Sequence, residues 1–299
     1  MGPVKYQLGY GGMTLAQLRV LIAVADQGGF TAAAELVGMS QPAVSRAVAS
    51  LERELGAALF VRHRDGIALT EAGRRALVRA REALRHFDLI RADVAAASGQ
   101  ITGELRLASL PSATGTLIAR LLRAFSDRYP QVKVRLFEGM DDDVRAWLRR
   151  GAAEAGVVTL PAPGLHTVHL STHDMVCVLP AGDPLAAEKA VRLPDLTGRP
   201  FILTTAGCRP LIMGAALTAG VSLDVAFEAS GPAAILEMVG AGLGVSIVPT
   251  LGLPADLPGV VTRPMEPGMT RSLALAVPSL EDCAPTARAL LDELSAFTL

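Results

Sequence analysis

Apolar side chains recur every three or four residues in three short segments near the start of the chain, which predicts three helices. Thr14 is a suitable N-cap for the first helix, and the Gly28-Gly29 pair ends it. Thr31 is expected to cap the second helix and Ser40 the third. Short consecutive helices joined by a glycine-containing turn predict a helix-turn-helix unit.

The pattern then changes twice. Residues 59–70 alternate between apolar and polar on either side of Asp65-Gly66, which predicts a β-hairpin. One long helix is expected from Glu71 to about Ala97. Its apolar positions at three- and four-residue spacing form a seam that is typical of helix pairing: Leu77, Ala80, Leu84, Phe87 and Val94.

Beyond residue 103, apolar strands alternate with amphipathic helices up to the end of the chain. This alternation favours mostly parallel sheets in an α/β layout. The break between the two patterns, at residues 98–103, marks a domain boundary.

Charge differs between the two parts of the chain. The whole sequence of 299 residues is 51% hydrophobic and has a formal net charge of −1. Residues 1–97 hold 12 Lys/Arg against 9 Asp/Glu, whereas the remainder holds 16 against 20. A basic first part and an acidic second part indicate that any contact with a polyanion belongs to the first.

Three widely spaced cysteines, Cys177, Cys208 and Cys283, argue against a disulfide framework and for a reducing compartment. Residues 1–13 lack the apolar core of a signal peptide and are expected to be a flexible lead-in. The longest uncharged run, residues 238–255, is broken by glycines and prolines, so no membrane contact is expected. We therefore expect a cytoplasmic protein.

The third helix carries chemistry suited to DNA bases near its start. Its apolar face (Val44, Val48, Leu51 and Leu55) is expected to pack on the two preceding helices. Gln41 can read adenine, Arg46 can read guanine, and Pro42 can contact a thymine methyl group. Hydroxyls of Thr31, Ser40 and Ser45 can hold phosphates. The alternative is an ordinary amphipathic helix with solvated polar residues. The hairpin after it, with Arg62, His63 and Arg64, favours a winged helix on DNA.

Residues 30–73 carry a resemblance to a known family. The segments "AAAE", "SQPAVS", "LF" and "LTEAG" occur in the order found in the DNA-binding domain of the bacterial LysR-type transcriptional regulators. The resemblance implies an α+β multidomain protein. It would have a winged helix-turn-helix at 14–70, a linker helix at 71–98 that pairs with a second copy, and an effector domain at 104–299. Packing of the linker seam on its own winged helix is the alternative to pairing.

In this family the effector domain has two α/β lobes and resembles type 2 periplasmic binding proteins. Here the lobes would be 104–179 with 263–299, and 180–262. Ligands of open α/β sheets bind beyond the carboxyl ends of strands, at helix N-termini. Three strand-to-helix junctions would then face a cleft, with side chains suited to a small anion: Ser109, Ser112, Thr114, Thr204, Thr205, Cys208 and Ser230.

Other polar residues of the second part have weaker interpretations. Arg209 is a candidate counter-charge, although it could equally face solvent. Cys208 lies at a helix N-terminus, where the pKa of a thiol can be lowered, and a peroxide-sensing branch of the family uses a cysteine in this region. That branch has a second cysteine nearby, which this chain lacks. His166, His169 and His173 lack partners at ligand spacing, so neither a metal nor a cofactor is expected.

The sequence therefore predicts a DNA-binding regulator that responds to a small, anionic metabolite and is not an enzyme. Expected partners are double-stranded DNA, the effector, RNA polymerase and further copies of the chain, as a homodimer or homotetramer. Two alternatives stay open. One is a redox sensor that acts through Cys208, and the other is a DNA binder that needs no ligand.

Overall fold

The computed structural model describes residues 12–63, 66–254 and 256–296, and the chain divides into two units between Val94 and Ala95. Most of the expected lead-in (residues 1–11) and the wing residue Arg64 lie outside these ranges. No helix within the ranges is both long enough and apolar enough to cross a membrane.

The first unit consists of three short helices, a two-stranded hairpin and a long helix. Their bounds are α1 (Leu15–Gln27), α2 (Phe30–Val37), α3 (Gln41–Leu55), β1 (Phe60–His63), β2 (Gly66–Leu69) and α4 (Glu71–Ala97), of which α4 enters the second unit. β1 pairs antiparallel with β2. This order of elements is the winged helix-turn-helix with a long following helix that the sequence predicts.

Glycine ends each of the three short helices. Gly28, Gly38 and Gly56 follow α1, α2 and α3 with φ of 65°, 66° and 66°, a left-handed conformation that glycine adopts without the steric cost of a Cβ. These local stops explain why the helix ends are readable from the sequence.

The predicted caps are partly wrong. Thr14 caps α1 through a capping box with Gln17, as expected. Thr31 is not a cap, because α2 already begins at Phe30 after an N-cap at Gly29. The Phe30 ring packs edge-on against Phe60, with 6.1 Å between centroids, and this contact favours the earlier start. Ser40 holds the N-cap position of α3, but its side chain makes no capping hydrogen bond.

The buried face of α3 is shorter than predicted. Val44, Val48 and Leu51 are 0–4% exposed and pack against the preceding helices and the hairpin. Leu55, in the last turn of the helix before Gly56, is 44% exposed.

The long helix α4 is anchored to its own unit along its first half. Leu77 and Ala80 are 8% and 3% exposed and share one apolar cluster with Leu18, Leu21, Leu51 and Leu59. Arg81 also forms an ion pair with Asp26 of α1. The predicted pairing seam is therefore wrong at Leu77 and Ala80, whose side chains already fill the core of the winged helix.

The second unit is built from strands and helices in alternation. Its strands are β3 (Gly103–Ser109), β4 (Val132–Glu138), β5 (Ala155–Thr159), β6 (His166–Pro180), β7 (Pro200–Thr204), β8 (Asp224–Ala229), β9 (Ser246–Pro249), β10 (Val260–Pro264) and β11 (Thr270–Val277). Its helices are α5 (Pro111–Ala113), α6 (Ala119–Arg128), α7 (Asp141–Arg149), α8 (Arg209–Thr218), α9 (Pro232–Gly240) and α10 (Pro285–Ala296), with a π-helical turn at Thr114–Ile118 between α5 and α6.

Two groups of strands share the long strand β6. In the first, β4, β3 and β5 run parallel, and β11 joins β5 and the first part of β6 in antiparallel pairing. In the second, the end of β6 pairs with β9 and β10, while β7 and β8 form a separate parallel pair. These groups are the two lobes, with apolar clusters on the faces of the second sheet.

The lobe boundaries differ from the prediction. Strand β6 pairs with β11 up to Asp174 and with β9 and β10 from Met175, so the chain changes lobe at 174/175 rather than at 179/180. It returns after Pro264, since β10 still belongs to the second lobe, rather than at residue 263. One continuous strand serves both sheets, and its sequence changes from mostly polar up to Asp174 to wholly apolar from Met175, where its partners change.

Candidate DNA interface and effector cavity

The start of α3 presents polar side chains on the side opposite its buried face. Gln41, Pro42 and Arg46 are exposed, and Ser45 is half-buried. Within the described residues, neither Gln41 nor Arg46 makes a side-chain hydrogen bond or ion pair. Both side chains are thus available to a partner. In helix-turn-helix proteins, the N-terminal residues of the second helix of the motif, here α3, enter the major groove.

The remaining predicted DNA contacts surround this helix. Thr31 is exposed in the first turn of α2, and Ser40 is exposed at the N-cap of α3. Arg62 lies in β1 of the hairpin. Glu52 of α3 fixes the base of that hairpin, because its Oε1 accepts hydrogen bonds from the backbone N–H groups of Leu59 (2.7 Å) and Phe60 (3.2 Å).

A cavity of about 240 Å³ lies between the two lobes of the second unit. It opens beyond the carboxyl ends of β3 and β7 and at the start of α9, where ligands of α/β sheets bind. Its lining includes Leu110, Pro111, Ser112, Met140, Thr204, Cys208, Ser230, Ile235, Val248, Pro249 and Arg271.

Four of the seven predicted effector residues line this cavity: Ser112, Thr204, Cys208 and Ser230. The other three do not. Ser109 is fully buried and its hydroxyl donates to the Leu110 carbonyl, as does that of Thr114. Thr205 is exposed at the surface, and its backbone N–H donates to the Ala229 carbonyl. These three residues therefore make hydrogen bonds to backbone carbonyls and do not line the cavity.

Arg271 is the cavity residue that the sequence prediction missed. It lies on β11, is only 3% exposed and lines the cavity. Its Nε and Nη2 donate to Thr159 Oγ1 (3.2 and 3.1 Å), and its Nη1 donates to Ser112 Oγ (3.2 Å). A single arginine near the start of the apolar strand "TRSLALAV" was the available signal, since arginine is almost never fully buried without a partner.

Asp141, whose carboxylate contacts the same Thr159, is paired with a different arginine. Asp141 accepts hydrogen bonds from Arg145 and from the backbone N–H of Thr159 (2.6 Å). Within the described residues, Arg271 forms no ion pair. The guanidinium of Arg271 is therefore a buried positive charge whose partners are neutral hydroxyls.

The predicted counter-charge Arg209 is placed elsewhere. Its Nη1 lies 2.6 Å from Glu228 Oε1, and both side chains are more than 40% exposed. Arg209 is thus paired at the surface and does not line the cavity.

Cys208 does not have the lowered thiol pKa that a position at a helix N-terminus can give. Burial raises the pKa of the Cys208 thiol, and the nearby positive charge of Arg271 only partly opposes this. Burial likewise raises the pKa of Cys177 to about 12 and that of Cys283 to about 11.

The histidines of β6 bond to neighbouring hydroxyls. His169 Nε2 lies 2.9 Å from Thr172 Oγ1, and His173 Nε2 lies 2.8 Å from Ser171 Oγ. Burial lowers the pKa of His173. Within the described ranges, no three His, Cys, Asp or Glu side chains are grouped as metal ligands.

Two family models together match almost the whole chain. Residues 15–74 match the model of the bacterial regulatory helix-turn-helix protein of the lysR family, and residues 98–298 match the LysR substrate binding domain. The chain belongs to the LysR family of transcriptional regulators. The resemblance stated from residues 30–73 is thereby confirmed.

Related proteins and solved structures of other proteins align with both units of this LysR-family chain. The HTH-type transcriptional regulator YvbU of Bacillus subtilis is 32% identical over 94% of this chain and 97% of its own. A Mycobacterium leprae protein named "Probable hydrogen peroxide-inducible genes activator" is 30% identical over 81% and 80%. The crystal structure of full-length CbnR with its target DNA has a TM-score of 0.67 and 26% identity, and covers 95% of this chain and 99% of that one.

Proposed function

We propose that this LysR-family regulator binds an operator through the start of α3 and the hairpin, and that a small anion in the cavity changes how it does so. The observation that carries the effector assignment is Arg271, a buried charge on the cavity wall without a carboxylate partner among the described residues. Burial of a charge is costly unless a counter-charge compensates it, so the cavity favours an anion. This function is binding rather than catalysis.

The cavity lies between two lobes, so a ligand there can change their separation. Arg271 and Ser112 belong to the first lobe, whereas Thr204 ends β7 and Ser230 follows β8 in the second. A ligand that touches both sides stabilises one lobe separation over another, provided that its affinities for the two states differ. We propose that this change alters the spacing of DNA-binding units in the assembled protein. The protein would act in the cytoplasm, with RNA polymerase as a further partner.

Footprinting on the intergenic DNA beside the gene, with and without small organic acids, tests this function. We expect a protected interrupted palindrome whose extent changes with at least one acid. A footprint that no acid alters, together with no thermal stabilisation by any of them, would favour the ligand-independent binder. The absence of any protected site would contradict the function itself.

Self-association through α4 is proposed for its second half rather than for the whole predicted seam. Phe87 is half-buried under Arg91, whose guanidinium carbon lies 5.5 Å from the ring centroid. Ile90 and Val94 are 63% and 67% exposed on the same side of the helix. Pairing with a second copy would remove these side chains from water.

We expect Ile90→Asp to raise the dissociation constant of the dimer by about 10-fold or more, because a carboxylate would be buried at the helix–helix contact. Analytical ultracentrifugation of the full chain measures this change. Val78→Asp is the matched control, since Val78 is 46% exposed on a different side of α4. Equal effects of the two substitutions would contradict pairing through the Ile90 side.

A thiol-based sensor is the second candidate, supported by the position of Cys208 on the cavity wall and by the name of the Mycobacterium leprae relative. The raised pKa of Cys208 opposes it, since the thiolate is the form that reacts. We expect hydrogen peroxide to leave the footprint of the reduced protein unchanged. A peroxide-dependent change that Cys208→Ser abolishes and Cys177→Ser retains would instead support the sensor.

A further inference from the structure

We propose that the cavity selects a monocarboxylate with an apolar body, whose carboxylate pairs with Arg271. The inference rests on the proposed function, because it takes this cavity to be the effector site. It goes further by fixing the number of charges on the ligand and the character of the rest of the molecule.

The charge of the cavity wall is a single positive one. Among the described residues that line the cavity, Arg271 is the only Lys, Arg, His, Asp or Glu. Cys208 is the other titratable group, and its raised pKa keeps it neutral at physiological pH. The Asp141 and Arg145 side chains behind the wall neutralise each other. One anionic group on the ligand therefore balances the site.

Arg271 also retains hydrogen-bond donors for a carboxylate. A guanidinium has five N–H groups. The hydrogen bonds to Thr159 and Ser112 use three of them: the one on Nε, one on Nη2 and one on Nη1. Within the described residues this leaves one N–H on each terminal nitrogen, which is one donor for each oxygen of a carboxylate.

Apart from a few hydroxyls, the remainder of the wall is apolar on both lobes. Leu110, Pro111 and Met140 come from the first lobe, and Ile235, Val248 and Pro249 from the second. A second carboxylate on the ligand would lie against these side chains without a counter-charge, which is costly. A neutral ligand would leave Arg271 uncompensated. A compact aliphatic or aromatic acid satisfies both requirements, with Thr204 and Ser230 as additional hydroxyl contacts.

Two matched series of probes test this selection on the full chain by titration calorimetry. The aromatic series is benzoate, its neutral amide benzamide and the dianion isophthalate. The aliphatic series is 3-methylbutanoate, 3-methylbutanamide and 3-methylglutarate. In at least one series, we expect the monoanion to bind at least about 10-fold more tightly than both its amide and its dianion.

Substitutions test whether Arg271 causes the preference for the monoanion. Arg271→Gln should weaken binding of the monoanion by about 10- to 100-fold and bring its affinity close to that of the amide. Arg271→Lys keeps the charge and should retain preference for the acid at lower affinity. Ser230→Ala is the matched control, since it should weaken acid and amide alike. If Arg271→Gln does not fold, the inference is tested by the Arg271→Lys variant and by the acid preference of the unsubstituted protein.

Several results would overturn the inference. They are binding of the amide or the dianion as tight as that of the monoanion in both series, an acid preference that survives Arg271→Gln, and no binding of either monoanion at about 1 mM. Failure of the proposed function has a different signature, namely no protected site on the DNA or a footprint that no acid alters. A dianion that changes the DNA footprint would support an anion-responsive regulator and still overturn selection of a monocarboxylate.

Discussion

Replacing Gly73 by alanine is expected to destabilise the first unit by at least about 2–3 kcal/mol, because there is no room for a side chain at the start of α4. A Cβ at Gly73 would overlap the carbonyl oxygen of Leu59, approach the carbonyl carbon to 2.9 Å and lie 3.0 Å from Leu69 Cδ2. The obstacle is backbone, so no change of rotamer can relieve it.

The intrinsic preference of alanine for helices does not offset this overlap. Alanine is favoured over glycine inside a helix by about 0.5–1 kcal/mol, which is smaller than the expected cost. The contact also lies where the hairpin meets α4, because the Thr70 hydroxyl accepts from the Gly73 N–H (2.8 Å) and donates to the Ala58 carbonyl (2.7 Å). Moving α4 outward would break this junction.

Hydrogen exchange of the full chain, read by peptide, separates this effect from changes in the second unit. We expect Gly73→Ala to lower protection across residues 15–80 and to leave residues 103–296 unchanged. Gly29→Ala is the control, since Gly29 has φ of −170° and open space around its Cβ position. Equal protection in the two variants would show that the overlap is relieved by a small shift.

Local signals predicted most of the elements. The three helices of the first unit end where glycine adopts positive φ, and the hairpin follows from alternation around a turn. In the second unit, strands and helices were readable because each has an apolar face of its own period. The predicted helix 71–97 coincides with α4 (Glu71–Ala97).

Properties that depend on distant residues could not be predicted. The apolar spacing at Leu77 and Ala80 fits a partner helix as well as the core of the same unit, and only packing decides between them. Strand β6 becomes apolar after Asp174, but the change of sheet partners at that residue is seen only in the tertiary structure. The pKa of Cys208 follows from burial by other segments rather than from its place before α8.

The residues of the candidate cavity also divide into those that local sequence predicted and one that depends on distant parts of the chain. Serine and threonine at strand-to-helix junctions predicted part of its lining, and Ser112, Thr204 and Ser230 do line it. Arg271 comes from a strand more than 150 residues after Ser112, and their contact depends on the return of the chain to the first lobe. An arginine in an apolar strand indicated a buried charge, but its location needed the tertiary structure.

Replacing Gln41 and Arg46 together by alanine is expected to abolish most discrimination between the operator and a scrambled duplex. Each bidentate contact of a side chain to a base edge contributes about 1–3 kcal/mol of discrimination. Loss of both should therefore lower the ratio of specific to non-specific affinity by about 30-fold or more. Because both side chains are exposed and unpaired within the described residues, the substitutions should leave the fold intact.

Arg53→Ala provides the matched control for charge. Arg53 is exposed in the last turn of the same helix, away from the end expected to enter the groove. Its loss should weaken binding to both duplexes by a similar factor, since contacts with phosphates carry no sequence information. Electrophoretic mobility shifts at several salt concentrations measure both ratios. If the double variant keeps full discrimination, or if Arg53→Ala loses as much of it, base recognition must lie elsewhere than at the start of α3.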